Sequence, residues 1–170
     1  AQRKLPPAFV IVFALAADPT TLSIVLGVPL VIIGTAIRLY ASGFIMKNAE
    51  LAQHGPYALV RHPLYTGNIL VLVGFAIASW QWWALPVAIA FFWFWYPTAI
   101  EYEDRKLHRL FGTAWEEWSR VTPALVPSFK NASRASEGEW SLRKSFGKNG
   151  EAAVAAYIVI CILLVMRPVL

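Results

Sequence analysis

The chain has 170 residues, of which 58% are hydrophobic and only 15% charged, and it carries a formal net charge of +5. Soluble domains average about 45–50% apolar and about 25% charged residues, so this composition predicts an integral membrane protein rather than a soluble domain. Its basic residues are not interleaved with polar readout residues, which argues against nucleic acid as a partner, while one cysteine and three scattered histidines predict no disulfide and no metal site.

The first two predicted elements are apolar segments that follow each other closely. Residues 5–17 are apolar between Arg3-Lys4 and Asp18-Pro19, and residues 22–37 are uncharged, with a helix plausible as far as Ile45. Pro29 predicts a kink in the second segment. The short first segment also resembles a signal peptide in its length and apolar composition. Because a second apolar segment follows at once, we interpret the pair as a first helical hairpin.

The longest uncharged run covers residues 63–100, which is 38 positions. One helix needs about 20 residues to cross a bilayer, so this run predicts two crossings that turn near residues 79–83, where tryptophans suit the interface. A last apolar segment covers residues 152–166. About five transmembrane helices are therefore predicted in one domain, 1–170. Their ranges are 5–18, 21–45, 64–80, 82–100 and 151–169.

The distribution of basic residues predicts the orientation. With a cytoplasmic N-terminus, Arg167 alone among the 15 Lys and Arg residues faces the opposite compartment, as the positive-inside rule requires. Residues 103–121 alternate apolar and charged positions at helical spacing, which predicts a cytoplasmic amphipathic helix. Residues 128–150 are rich in polar residues and glycine and are interpreted as a mobile linker. The predicted fold class is an all-α polytopic membrane bundle with this added helix.

Two cytoplasmic segments carry the residues suited to chemistry. Residues 54–68 contain a Gly-Pro turn and then Arg-His-Pro at the membrane entry, and residues 101–104 bring three acids to the hairpin's exit. Because the hairpin crosses out and back, we expect His62 and Glu103 to meet at one membrane face beside an apolar cavity. Each residue alone could also serve only to contact headgroups or a helix terminus.

These segments together resemble a known family. Gly55-Pro56-Tyr57 followed by Arg-His-Pro-Leu-Tyr-Thr-Gly at residues 61–67 is similar to the integral-membrane isoprenylcysteine carboxyl methyltransferases and phospholipid N-methyltransferases. Glu103-Asp104, Phe111-Gly112 and the later Val121 and Pro123 resemble the second half of that pattern. The resemblance covers roughly residues 36–128.

The resemblance implies S-adenosylmethionine as the methyl donor, bound by segments 46–65 and 101–127 on the cytoplasmic side. In such a site a carboxylate can accept hydrogen bonds from ribose hydroxyls, and His or Arg can pair with the donor's own carboxylate. The implied cofactor-binding residues are Leu51, Tyr57, Arg61, His62, Pro63, Leu64, Tyr65, Glu103 and Asp104.

Two departures from the family pattern bear on the methyl acceptor. The second paired acid is Asp104 instead of Glu, and Ala99 stands where the carboxyl methyltransferases carry an arginine that holds the substrate carboxylate. We therefore predict a hydrophobic, membrane-borne acceptor, lipid or isoprenoid-like, and weak turnover of a farnesylcysteine carboxylate. Glu101 is a candidate base. Arg38 is a candidate replacement for the missing arginine, although we favour its reaching out to lipid headgroups.

Two other functions stay open at this stage. Membrane sterol reductases share a similar Arg-His-Pro-x-Tyr and Phe-Gly half and bind NADPH, but their chains are longer. A non-catalytic membrane scaffold with the same fold is the third alternative.

Overall fold

The computed structural model describes residues 7–45 and 49–169, and all of the regular structure in these residues is helical. This confirms the predicted all-helical fold class. Shorter helical turns connect the main helices at Gly55–Ala58, Phe129–Ser136 and Arg143–Lys148. The main helices are α1 (Pro7–Leu15), α2 (Thr21–Ser42), α3 (Pro63–Ala78), α4 (Ala84–Phe111), α5 (Thr113–Val121) and α6 (Glu151–Met166).

Two of these helices, α2 and α4, are long and apolar enough to cross a membrane. The helices α3 and α6 are apolar but have 16 residues each, which corresponds to about 24 Å at 1.5 Å per residue. A hydrocarbon core is about 30 Å thick. Two candidate spans are therefore established by length and composition, and the prediction of five crossings stays a prediction.

The turn of the long hairpin lies where the sequence predicts it, because α3 ends at Ala78 and α4 begins at Ala84. The predicted amphipathic helix over residues 103–121 is wrong as one element. Its first half is the end of α4, and Gly112, with φ of +51°, separates that helix from α5. A positive φ is readily adopted by glycine, which explains why the break falls there.

The segment before α6, predicted as a mobile linker, is instead helical in part and is anchored to the end of α2. Ser145 Oγ lies 2.7 Å from Ser42 Oγ, and the Asn149 side-chain amide donates to the Ser42 carbonyl at 2.8 Å. Trp140 packs on Gly43 so closely that a Cβ at that glycine would lie 2.2 Å from the indole nitrogen. Polar composition alone does not reveal these contacts, because each joins residues about 100 positions apart.

Close packing of α2 against α3 forms the centre of the bundle. A Cβ on Gly27 would lie 2.5 Å from the Gly74 carbonyl oxygen, and one on Gly34 would lie 2.6 Å from that of Gly67. Small residues allow helix backbones to approach in this way. Apolar residues of α1, α3, α4 and α6 complete the core. They include Val10, Phe13, Phe75, Ala88, Ile158 and Cys161.

Candidate functional site

A cavity of about 590 Å³ lies at the end of the bundle where α2 ends and α3 begins. Ligand pockets commonly measure about 300–1,000 Å³, so the volume suits a small-molecule ligand. The end of α4 and the start of α6 complete the walls. Eight of the nine residues predicted to bind the cofactor line this cavity: Leu51, Tyr57, Arg61, His62, Pro63, Leu64, Tyr65 and Glu103.

The start of α3 places three of these residues together. His62 is the N-cap and Pro63 the first helical residue, where proline's missing N–H leaves no hydrogen bond unmade. His62 is only 6% exposed, and its ring lies 5.5 Å from that of Tyr65. The helix start therefore fixes an imidazole and a tyrosine ring against the cavity.

The segment after α5 holds the Arg61-His62 backbone in place. The backbone N–H of Arg61 donates to the Pro123 carbonyl at 2.8 Å, and that of His62 donates to the Ala124 carbonyl at 3.0 Å. The Arg61 guanidinium also donates to the Thr122 carbonyl at 2.9 Å. The two cytoplasmic segments predicted from the sequence are thus joined by direct hydrogen bonds.

Asp104 connects to the cavity through two neighbours and does not line it. Its carboxylate accepts from His62 Nε2 at 2.9 Å and from Arg61 Nη2 at 3.0 Å. Burial works to raise the pKa of Asp104, but the hydrogen bond and charge of His62, together with Arg61, outweigh it and leave that pKa below its ordinary value. A carboxylate 2.9 Å from Nε2 accepts a hydrogen bond from the ring and fixes the orientation of the imidazole. Asp104 therefore orients the histidine from behind, and its predicted contact with the cofactor stays a prediction.

Glu103 is the acid that lines the cavity, and it is 6% exposed. Successive residues of an α-helix point about 100° apart, so Glu103 and Asp104 cannot face the same ligand in the same way. The geometry divides the paired acids between the cavity wall and the support of His62.

Two residues discussed from the sequence lie away from the cavity wall. The Glu101 side chain is 64% exposed and pairs with Arg105 at 3.2 Å. Ala99 is buried in a cluster with Tyr65 and Tyr96. Neither is among the residues that line the cavity. Glu101 is thus poorly placed as a base for a reaction inside it.

Arg38 lies on the cavity wall and is fully buried, so its expected extension to lipid headgroups is wrong. Its guanidinium donates to Glu151 from Nη2 at 2.7 Å and from Nε at 3.1 Å, and Nη1 donates to the Asn68 side-chain oxygen. Sequence reasoning missed Glu151 and Asn68. The usable signal was Arg38 itself, because a charge within an apolar helix requires a buried polar partner.

The cavity combines polar and apolar surfaces. Its apolar lining includes Ala153 and Val154 of α6, together with the ring of Tyr157. The Nε of Arg61 is buried and has no hydrogen-bond partner among residues 7–45 and 49–169. A buried donor of this kind fits an anionic or carbonyl group of a ligand. In the same described ranges, no three His, Cys, Asp or Glu side chains are grouped as metal ligands would be.

Two curated proteins are similar in sequence to this chain. The chain is 36% identical over 126 residues to the cobalt-zinc-cadmium resistance protein CzcN of Cupriavidus metallidurans, covering 73% of this chain and 56% of that one. It is 35% identical over 103 residues to the nickel-cobalt-cadmium resistance protein NccN of Alcaligenes xylosoxydans xylosoxydans, covering 60% and 47%. It thus spans about half the length of the curated relatives it matches. No solved structure matches the chain.

A family profile provides the assignment. The profile of the phospholipid methyltransferases matches residues 22–114, which is more than half of the chain. The match runs from the start of α2 to the start of α5 and includes Arg38 and all nine predicted cofactor-binding residues. The chain belongs to the phospholipid methyltransferase family.

Proposed function

We propose that the chain transfers a methyl group from S-adenosylmethionine to a hydrophobic, membrane-borne acceptor, either a lipid or an isoprenoid-like molecule. Membership of a methyltransferase family supports the reaction type. The observation that carries the proposal is the 590 Å³ cavity, whose wall joins eight predicted cofactor-binding residues to an apolar surface on α6.

In this proposal the polar wall holds the donor. Glu103 would accept from ribose hydroxyls, Arg61 and His62 would hydrogen-bond to the donor's carboxylate, and Asp104 would keep both side chains in position. Tyr57, Leu51 and the Pro63–Tyr65 segment form the surrounding walls. When bound, S-adenosylmethionine supplies a methyl group on a positively charged sulfur.

The work left to the protein is alignment and exclusion of water. The acceptor would take the methyl group while the donor's sulfur keeps the electron pair of the broken bond, and an acceptor that starts neutral would then carry the positive charge or release a proton. Such a displacement gains most from reactants that are held in the right order and orientation. Burial of His62 and Glu103 holds these polar side chains in fixed positions at the cavity.

The apolar wall receives the acceptor. Val154 and Tyr157 of α6 and Pro7 at the start of α1 line that side, and the Tyr157 hydroxyl donates to the Pro7 carbonyl at 2.5 Å. We place the chain in the membrane as one domain with five crossings and with the cavity on the cytoplasmic side. A lipid acceptor then reaches the donor from within the bilayer.

Binding and label transfer test the proposal together. S-adenosylmethionine should raise the unfolding temperature of the purified chain in detergent, and NADPH should not. With membranes and methyl-labelled donor, label should appear in the lipid extract. Stabilisation by NADPH alone would favour the sterol-type reductase, and stabilisation by neither would favour the scaffold.

The relatives add a physiological setting to the proposal. Because CzcN and NccN are named for resistance to cobalt, cadmium and other divalent metals, we propose that this methyl transfer serves metal tolerance. In a strain made metal-sensitive by loss of the chain, the wild-type copy should restore growth and a Glu103→Gln copy should not. Equal rescue of growth by both copies would show that metal tolerance does not depend on methyl transfer.

A further inference from the structure

We propose that Glu151 determines acceptor specificity, by occupying the Arg38 guanidinium with a carboxylate from the chain itself. The cavity then admits acceptors that are uncharged where they meet this wall and disfavours acceptors with a carboxylate there. This inference rests on the proposed methyl transfer and names the chemical class of its acceptor.

The contact between the two residues is a buried two-point ion pair. Arg38 Nη2 lies 2.7 Å from Glu151 Oε1 and 2.9 Å from Oε2, and Nε lies 3.1 Å from Oε2. The Arg38 and Glu151 side chains are 2% and 6% exposed. Paired N–H groups that face a carboxylate in this way form one of the strongest contacts available to arginine.

The third nitrogen of the guanidinium also donates a hydrogen bond. Nη1 donates to the side-chain oxygen of Asn68 on α3, and Asn68 is fully buried. Arg38 is thus held between α3 and the first residue of α6. Its charge is matched within the chain before any ligand arrives.

An acceptor carboxylate at this wall would have to displace Glu151. The displaced side chain would be left as a buried charge without its cation, which is strongly unfavourable. A neutral acceptor leaves the pair intact and has no such penalty. Discrimination of this kind comes from a repulsive element built against the wrong ligand.

Helix stability alone does not explain the position of Glu151. An acid in the first turn of α6 is favoured by the helix dipole, but an exposed acid would have the same benefit. Glu151 is instead buried and lies on the cavity wall beside Asn149 and Ala153. Of the other cations on the wall, Arg61 is bound to Asp104, and Lys106 lies on α4 one turn from Glu103, on the donor side.

Two matched probes test the inference by binding, without turnover. One is a farnesylcysteine with a free carboxylate and the other is its methyl ester, each titrated calorimetrically into the detergent-solubilised chain. The wild type should bind the ester at least about tenfold more tightly. In Glu151→Gln, which removes the charge and keeps the shape, affinity for the carboxylate should rise about 10- to 150-fold, the range for one charge-assisted contact.

Two further variants make the result specific. Arg38→Met/Glu151→Leu removes both charges, so it should bind the ester and show no gain for the carboxylate. Glu139→Gln changes an exposed acid away from the cavity and should leave both affinities as in the wild type. A gain in the double variant or in Glu139→Gln would show that Arg38 is not the group released, and would overturn the inference.

The remaining outcomes separate this inference from the proposed function. If the wild type binds the carboxylate as tightly as the ester, the inference is wrong whether or not any variant folds. If Glu151→Gln is stabilised by S-adenosylmethionine but binds both probes as the wild type does, the inference alone fails. If S-adenosylmethionine does not stabilise even the wild type, the methyl transfer itself is refuted.

Discussion

Two charged clusters border the same cavity, and they differ in how deeply their side chains are buried. In the cluster on the proposed donor side, the side chains of Arg61 and Asp104 are each 16% exposed, and two backbone carbonyls also accept hydrogen bonds from the Arg61 guanidinium. In the cluster on the proposed acceptor side, Arg38 and Glu151 are almost completely buried and bind each other at two points. The first cluster can exchange a contact with a ligand at little cost. The second is a fixed part of the wall, so we expect it to select ligands rather than to bind them directly.

The largest expected effect is on the stability of the fold, when the buried Arg38–Glu151 ion pair is broken. Arg38→Met alone or Glu151→Leu alone should lower the free energy of unfolding by about 3–5 kcal/mol, because each leaves a buried charge without its partner. The double variant should lose much less than the two single losses combined. Denaturant unfolding in detergent, followed by circular dichroism, gives all four values of this cycle. Simple additivity would show that the two residues act independently.

A second prediction measures the donor-side residues. His62→Ala and Glu103→Ala should each weaken S-adenosylmethionine binding about 10- to 150-fold, the equivalent of about 1.5–3 kcal/mol for one charge-assisted contact. Glu101→Gln is the matched control, because Glu101 lies two positions from Glu103 on the same helix but is exposed and paired with Arg105. Calorimetric affinities that are unchanged in both alanine variants would refute the assignment of the donor site.

The smallest expected effect is a dependence of stability on pH that comes from Asp104. The pKa of Asp104 is lowered in the folded chain, so its contacts stabilise the fold above the unfolded-state pKa, about 3.9 for aspartate. That contribution is lost as the pH falls through the folded-state pKa. Unfolding temperatures measured from about pH 7 to about pH 3 should fall less steeply in Asp104→Asn than in the wild type. Parallel curves would mean that Asp104 does not contribute in this way.

The sequence predicts well which residues near His62 and Glu103 line the cavity, for a physical reason. A run of 38 uncharged residues between His62 and Glu101 can only be accommodated as a hairpin, and the hairpin brings its two ends together. The wall residues at those ends follow from that single fact and from the family resemblance. The separate role of Asp104 does not follow, because it depends on the direction in which each side chain leaves the helix.

The acceptor side is less accessible to sequence reasoning. Glu151 lies 113 positions from Arg38, directly after a segment whose polar composition is typical of a linker. Nothing local to Glu151 indicates that it will be buried against α2. The contacts of Ser42 with Ser145 and of Asn149 with the end of α2 determine that placement, and they are known only from the folded chain.

Gly67 links the distance between α2 and α3 to the position of the Arg38 guanidinium on the cavity wall. A Cβ on Gly67 would lie 2.7 Å from Cγ of Arg38 and 2.7 Å from the carbonyl oxygen of Gly34. The depth at which the guanidinium meets the cavity is therefore set by the distance between two helix backbones, outside the cavity itself. Any larger residue at position 67 would require wider helix spacing and would move the charge. A substitution at this helix interface would thus move a charge on the cavity wall while every residue that lines the cavity stays the same.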